Sequence, residues 1–154
     1  MQEKPTDELN ELLEQTHPDQ LNTYLKENRF SWADEKKGFY YFMKEVLQEK
    51  NIKLKDVYFF AGVDESWGGK IITMEKHTKN RDLIIMFCIA GHFSLQETNR
   101  ALKLYGMREL YAKDSRDACL IVAINNRMFR LRDINDLLEK NGFKILSAKH
   151  TRDE

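Results

Sequence analysis

Apolar positions recur along most of this chain at three- and four-residue intervals, the period of a helix with one buried face. The strongest stripe is Phe39, Phe42, Met43, Val46 and Leu47, which predicts an amphipathic helix of about three turns ending near Asn51. Leu54, Val57, Tyr58 and Ala61 predict a shorter helix stopped by Gly62, a residue suited to the left-handed conformation at a helix end. Asp64 is a good N-cap for another short helix running to about Met74.

Two continuous apolar runs follow, Leu83 to Ala90 and Ala118 to Ile124. Periodicity does not separate a buried helix from a buried strand there, but the flanks do. Asn80-Arg81-Asp82 and Ser115-Arg116-Asp117 each place a capping residue first and an acid at the second helical position, where it meets the positive end of the helix dipole. Both runs are predicted to be buried helices. Ser94-Leu95-Gln96-Glu97 is a capping box, and the helix it opens carries Leu95, Thr98, Leu102 and Tyr105 on one face before Gly106 stops it. Arg132 to Asn141 repeats this pattern with Ile134, Leu137 and Leu138, stopped by Gly142.

That repetition extends further. A shift of 36 aligns Leu95 with Leu131, Asn99 with Asn135, Leu102 with Leu138, Gly106 with Gly142 and Leu110 with Leu146, while a shift of 35 aligns Arg81-Asp82 with Arg116-Asp117. Residues 80–110 and 115–146 therefore read as two copies of one unit that stack and share a core.

Ahead of these elements, Leu9, Leu12 and Leu13, then Leu21, Tyr24 and Leu25 beyond Pro18, predict two short helices within residues 6–28. Residues 29–36 form a connector in which Trp32 is expected to anchor this arm. Residues 1–33 carry 3 basic and 7 acidic side chains. The predicted organisation is an acidic helical arm over 1–33, a central domain over 34–91, and a helical repeat extension over 92–148 packed on the same core.

Composition narrows the class. The 154 residues include 32% charged side chains, two prolines and seven glycines, which excludes a flexible, fibrous or disulfide-stapled chain. The longest apolar run is too short to span a membrane, and Met1-Gln2-Glu3-Lys4 begins no apolar signal segment, so a cytoplasmic protein is expected. Cys88 and Cys119 sit in apolar runs and are expected as a pair of buried thiols in a reducing compartment. The charges balance at 25 of each sign but unevenly, with residues 1–50 net −4 and residues 91–154 net +3. Any polyanion binding must come from a local patch.

No catalytic pattern is visible. His17, His77, His92 and His150 are scattered, and no metal-ligand spacing, nucleotide loop or nucleophile elbow occurs. Gly68-Gly69-Lys70 is a fragment of a phosphate loop without its leading Gly or trailing Ser/Thr. The chain is expected to be no enzyme and to hold no cofactor or metal.

The stronger constellation is Leu54 to Met74, where two short helices and a Gly-containing turn have the form of a helix-turn-helix. Val57, Ala61, Val63 and Ile71 make its small core, and Gly68 marks the closest approach of the two helices. The second helix, about residues 65–74, then offers Ser66, Trp67 and Lys70 to a DNA major groove, with Trp67 serving packing as its rival role. Lys55, Lys76, His77, Lys79 and Arg81 are placed to meet phosphates. Arg81 also has a rival role, pairing with an acid in the core of its repeat.

These residues resemble the XRE-type, lambda-repressor-like helix-turn-helix proteins, most nearly a bacterial subgroup with a Ser/Thr-Tyr-Gly-Tyr-Gln-Ile reading helix followed by Asn-Pro-x-Arg-Asp. Val57, Gly62, Asp64, Gly68, Ile71, Arg81 and Asp82 match, with Trp67 in place of the first Tyr. The likeness extends to the acidic arm, to Leu95 through Gly106, and to Leu110-Tyr111 with Arg116-Asp117-Ala118. It departs at Gly69 and Lys70, which replace Tyr-Gln, at Glu75, which stands for a Gly, and at Lys79, which stands for the Pro. The resemblance implies an all-α, lambda-repressor-like helix-turn-helix bundle followed by a repeated helix-pair extension, acting as a sequence-specific transcriptional regulator on double-stranded DNA. Regulators of this type commonly bind as homodimers. The alternative is a non-enzymatic module that binds a protein partner through the helical repeat. The acidic arm is expected either to pack on the body as a solvated pair of helices or to cover the basic face and compete with DNA.

Overall fold

The computed structural model describes residues 37–148, together with the single position Glu14. The expectations for the arm and for Trp32 lie outside the described residues. Within them the chain is all-helical: α1 (Gly38–Glu49), α2 (Leu54–Ala61), α3 (Glu65–Ile72), α4 (Arg81–Ala90), α5 (Leu95–Leu104), α6 (Ser115–Asn125) and α7 (Leu131–Lys140). Among the described residues no helix is long and apolar enough to cross a membrane.

Helix α4 is the centre of the core. Its residues Leu83 through Ile89 are all buried, and each such side chain contributes about 1.5–3 kcal/mol by leaving water. Helix α2 packs on α4 through Tyr58, whose ring meets Phe87 edge-on at 6.1 Å. Helix α1 covers α5, with Phe39 edge-on to Tyr105 at 4.8 Å. Phe42 meets Phe93 in the same geometry at 6.1 Å.

The predicted ends hold in most places. Gly62, Gly106 and Gly142 all adopt the left-handed conformation, with φ of 72, 84 and 81°. Asn80 accepts from the Leu83 N–H, and Ser94 and Glu97 form both arms of the capping box. Helix α6, however, is capped by Asp114 accepting from the Asp117 N–H, so Ser115 is its first residue rather than its cap. Helix α3 stops at Ile72, because Met74 turns left-handed at φ 67°.

Helix α6 is also less buried than its apolar run suggests. Leu120, Ala123 and Ile124 are buried, but Val122 is 53% exposed and Cys119 is only half-buried. The expectation of two fully buried thiols thus holds for Cys88 alone. Burial pushes the Cys88 thiol far above its ordinary value.

The two repeats share their hydrogen bonds position by position. Asn99 Oδ1 accepts from the Leu110 N–H at 2.8 Å, and Asn135 Oδ1 accepts from the Leu146 N–H at 2.9 Å. After α4, His92 is left-handed and the Phe93 N–H donates to the Cys88 carbonyl; after α6, Arg127 is left-handed and the Met128 N–H donates to the Ala123 carbonyl. The change of shift from 35 to 36 has a simple origin: residues 127–130 form a connection one residue longer than residues 92–94.

Candidate nucleic-acid interface

The site is built on α2, the turn Gly62-Val63-Asp64, and α3. Gly62 closes α2 with its N–H on the Phe59 carbonyl, and the Val63 N–H returns to the Tyr58 carbonyl. Asp64 Oδ1 then accepts from the Trp67 N–H at 2.8 Å and starts α3. A carboxylate there also faces the positive end of the α3 dipole.

Gly68 sets how α3 crosses α2. A Cβ at this position runs into the Tyr58 ring, closer than real side chains come. The Tyr58 ring thus lies between Gly68 of α3 and Phe87 of α4. Burial pushes the Tyr58 phenol up, with Glu65 and Tyr40 adding to the effect. Gly69 is different: the nearest atom to its Cβ position is the Tyr58 hydroxyl at 3.8 Å, ordinary contact. Val57, Ala61 and Ile71 are buried in the small core as expected, and Val63 is half-buried.

With Gly68, Ile71 and Ile72 buried, the outer side of α3 carries exposed Glu65, Ser66 and Lys70. Trp67 is half-buried and packed against the core, and it lines a cleft with Gly62, Leu146 and Ser147. Its packing role is the one the geometry favours.

The connector to α4 folds back on α3. The Thr73 hydroxyl and the Lys76 N–H both donate to the Lys70 carbonyl, at 3.4 and 3.1 Å. This brings the main chain of Lys76 against that of Lys70. The His77 ring then stacks on Tyr105 with centroids 4.4 Å apart, and its Nε2 lies 3.3 Å from the Tyr105 carbonyl oxygen. The Thr78 N–H donates to Tyr105 Oη at 2.8 Å, and Asn80 Nδ2 donates to the Ser147 carbonyl at 2.9 Å. The connector is therefore pinned at His77, Thr78 and Asn80 while Lys76 and Lys79 remain exposed.

Lys55 is exposed in the first turn of α2, next in register to Phe59, which is 88% exposed. Lys55, Lys70 and Lys76 form no ion pair with another described residue. Exposed Lys53, just before α2, was not among the sequence candidates; its only signal is its place beside Lys55. Exposed Asp56, Glu65 and Glu75 stand among these cations and limit the local positive charge.

Arg81 is engaged elsewhere. Its Nη1 and Nη2 donate to Asp117 Oδ1 and Oδ2, both at 2.9 Å, and its Nε and Nη2 donate to the carbonyls of Arg108 and Glu109. A guanidinium so engaged is held away from a phosphate, and the rival role as an ion pair is the one observed, although the acid comes from the other repeat rather than from Arg81's own.

Among the described residues no three His, Cys, Asp or Glu side chains gather as metal ligands. No family model, curated protein or solved structure matches this chain.

Proposed function

We propose that this chain is a sequence-specific DNA-binding regulator of the helix-turn-helix, XRE-like class, with α3 as its reading helix. The observation that carries the reading is the seat of Gly68 on Tyr58, which fixes α3 across α2 and leaves its polar side outward. A short helix held this way offers Ser66 and Lys70 to base edges. Lys55, Lys76 and Lys79 are exposed around it and serve as phosphate contacts. His77 and Arg81 support the scaffold instead, the first on Tyr105 and the second on Asp117.

The reading is tested by reversing charge at Lys70 and Lys79 together, Lys70→Glu with Lys79→Glu. Binding to selected genomic duplexes is expected to fall below detection while the melting temperature stays unchanged. Retained binding contradicts the reading.

A second reading is favoured by Gly69: nothing packs closely enough on this position to demand a glycine. A glycine inside a helix weakens it by about 1 kcal/mol relative to alanine, a disadvantage for a rigid reader of DNA. On that reading the scaffold is a non-enzymatic module that binds protein, and the same charge reversal leaves partner binding intact.

A further inference from the structure

The internal repeat supplies a standard for what each face of the fold is made to meet. In the first repeat, Leu83, Ile84, Phe87, Ala101 and Tyr105 are all at most 2% exposed. They are covered by the first two described helices: Tyr58 of α2 lies on Phe87, and Phe39 of α1 lies on Tyr105. The corresponding residues of the second repeat are Ala118, Cys119, Val122, Leu137 and Asn141. These line an open groove that Phe143 completes, and Val122 within it is 53% exposed. The same face that is roofed in the first repeat is left unroofed by the described residues in the second. Four of its five corresponding residues remain apolar.

We propose that residues 6–28 of this chain cover that face. Two observations favour this occupant. The segment directly precedes the helices that roof the first repeat, and it carries two apolar stripes at helical spacing, Leu9-Leu12-Leu13 and Leu21-Tyr24-Leu25. The reach is sufficient. Phe39 sits on Tyr105, and Ala112 at the groove is seven positions further along the chain from Tyr105, at most ~25 Å of chain. The connector 29–36 spans about 28 Å when extended. The arm then acts as the roof of the second repeat rather than as a screen over the lysines around α3.

Cys119 lies in the groove and reports its cover. In the full chain carrying Cys88→Ala, it is the sole thiol, and its rate of reaction with a small disulfide reagent measures accessibility. Replacing Leu9, Leu12 and Leu13 by Ala is expected to raise that rate about tenfold, as for a face covered nine-tenths of the time. Equal rates in the two chains overturn the proposal. So does protection that disappears on dilution, which assigns the face to a second copy. The reciprocal variant is Val122→Asp in the otherwise unaltered chain. It is expected to speed amide hydrogen exchange at residues 9–25 while α4 exchange stays slow. Unchanged exchange at 9–25 also overturns the proposal.

Discussion

Arg81 and Asp117 form a two-pronged ion pair, with both guanidinium–carboxylate contacts at 2.9 Å, and Arg116 and Asp82 form its counterpart at 2.9 and 2.8 Å. Each arginine also donates to two carbonyls at the end of its own repeat, Arg108 and Glu109 for Arg81, Lys144 and Ile145 for Arg116. Each aspartate accepts a further N–H from the chain just past the opposite repeat's last leucine, Tyr111 onto Asp117 and Ser147 onto Asp82. The arrangement is reciprocal, as in a two-fold symmetric dimer contained within one chain. It clamps both repeat ends to the N-termini of α4 and α6.

The two halves of this clamp differ in burial. Asp117 is 2% exposed and Asp82 20% at the side chain. Asp117→Ala leaves the Arg81 charge without its carboxylate and is expected to cost about 3–5 kcal/mol. Asp82→Ala is expected to cost less, because water replaces part of what is lost. Denaturant unfolding of both variants checks the order, and equal costs contradict it.

Arg81→Lys tests the fork itself. A lysine keeps the charge but not the planar pair of donors, nor the simultaneous reach to the Arg108 and Glu109 carbonyls. Destabilisation well beyond that of a surface Arg→Lys change is expected in thermal unfolding.

The clamp also makes stability depend on pH. Burial acts to raise the Asp117 carboxyl, but the Arg81 and Tyr111 hydrogen bonds and the charges of Arg81 and Arg108 outweigh it and hold the group below the usual carboxylate range. Glu97 is likewise held low, its burial outweighed by hydrogen bonds from Ser94 and Lys50. A carboxyl whose pKa is lower folded than unfolded stabilises fully above the unfolded value, about 4. That contribution fades as pH falls through the lower folded value. Melting temperature is therefore expected to drop below about pH 4, and to drop less steeply in Asp117→Asn.

Adjacent glycines in α3 are expected to respond oppositely. Gly68→Ala drives a Cβ into the Tyr58 ring, displaces α3, and is expected to lower both stability and DNA affinity. Gly69→Ala meets only ordinary contact and is expected to raise stability by up to about 1 kcal/mol. Thermal unfolding of the two single variants decides this.

Much of the fold is legible in the sequence. Gly62, Gly106 and Gly142 sit where chain reversal requires a left-handed residue, and Asn99 and Asn135 recur because each holds the leucine N–H that closes its repeat. Met74 gives no such signal, since methionine seldom adopts that conformation, and so the end of α3 is misplaced by sequence reasoning. The apolar run in α6 resembles that in α4 because both face a core. Among the described residues α2 packs on the outer side of α4 and nothing does so on α6, and composition does not carry that difference. Arg81 stands beside the basic residues in the chain, yet its partner lies 36 positions away. Lys70, Lys76 and Lys79 stand out as candidates because α3 and its connector are consecutive in the chain. The pinning of His77 to Tyr105 was not, because it depends on the fold of α5.

The central claim concerns DNA, and fluorescence anisotropy of a labelled duplex selected from genomic fragments tests it most directly across a salt series. The account predicts binding that survives excess nonspecific competitor and weakens with salt. The expected logarithmic slope is about −3 per bound chain, for three phosphates neutralised by Lys55, Lys76 and Lys79. Absence of binding at low salt by the folded chain would contradict it.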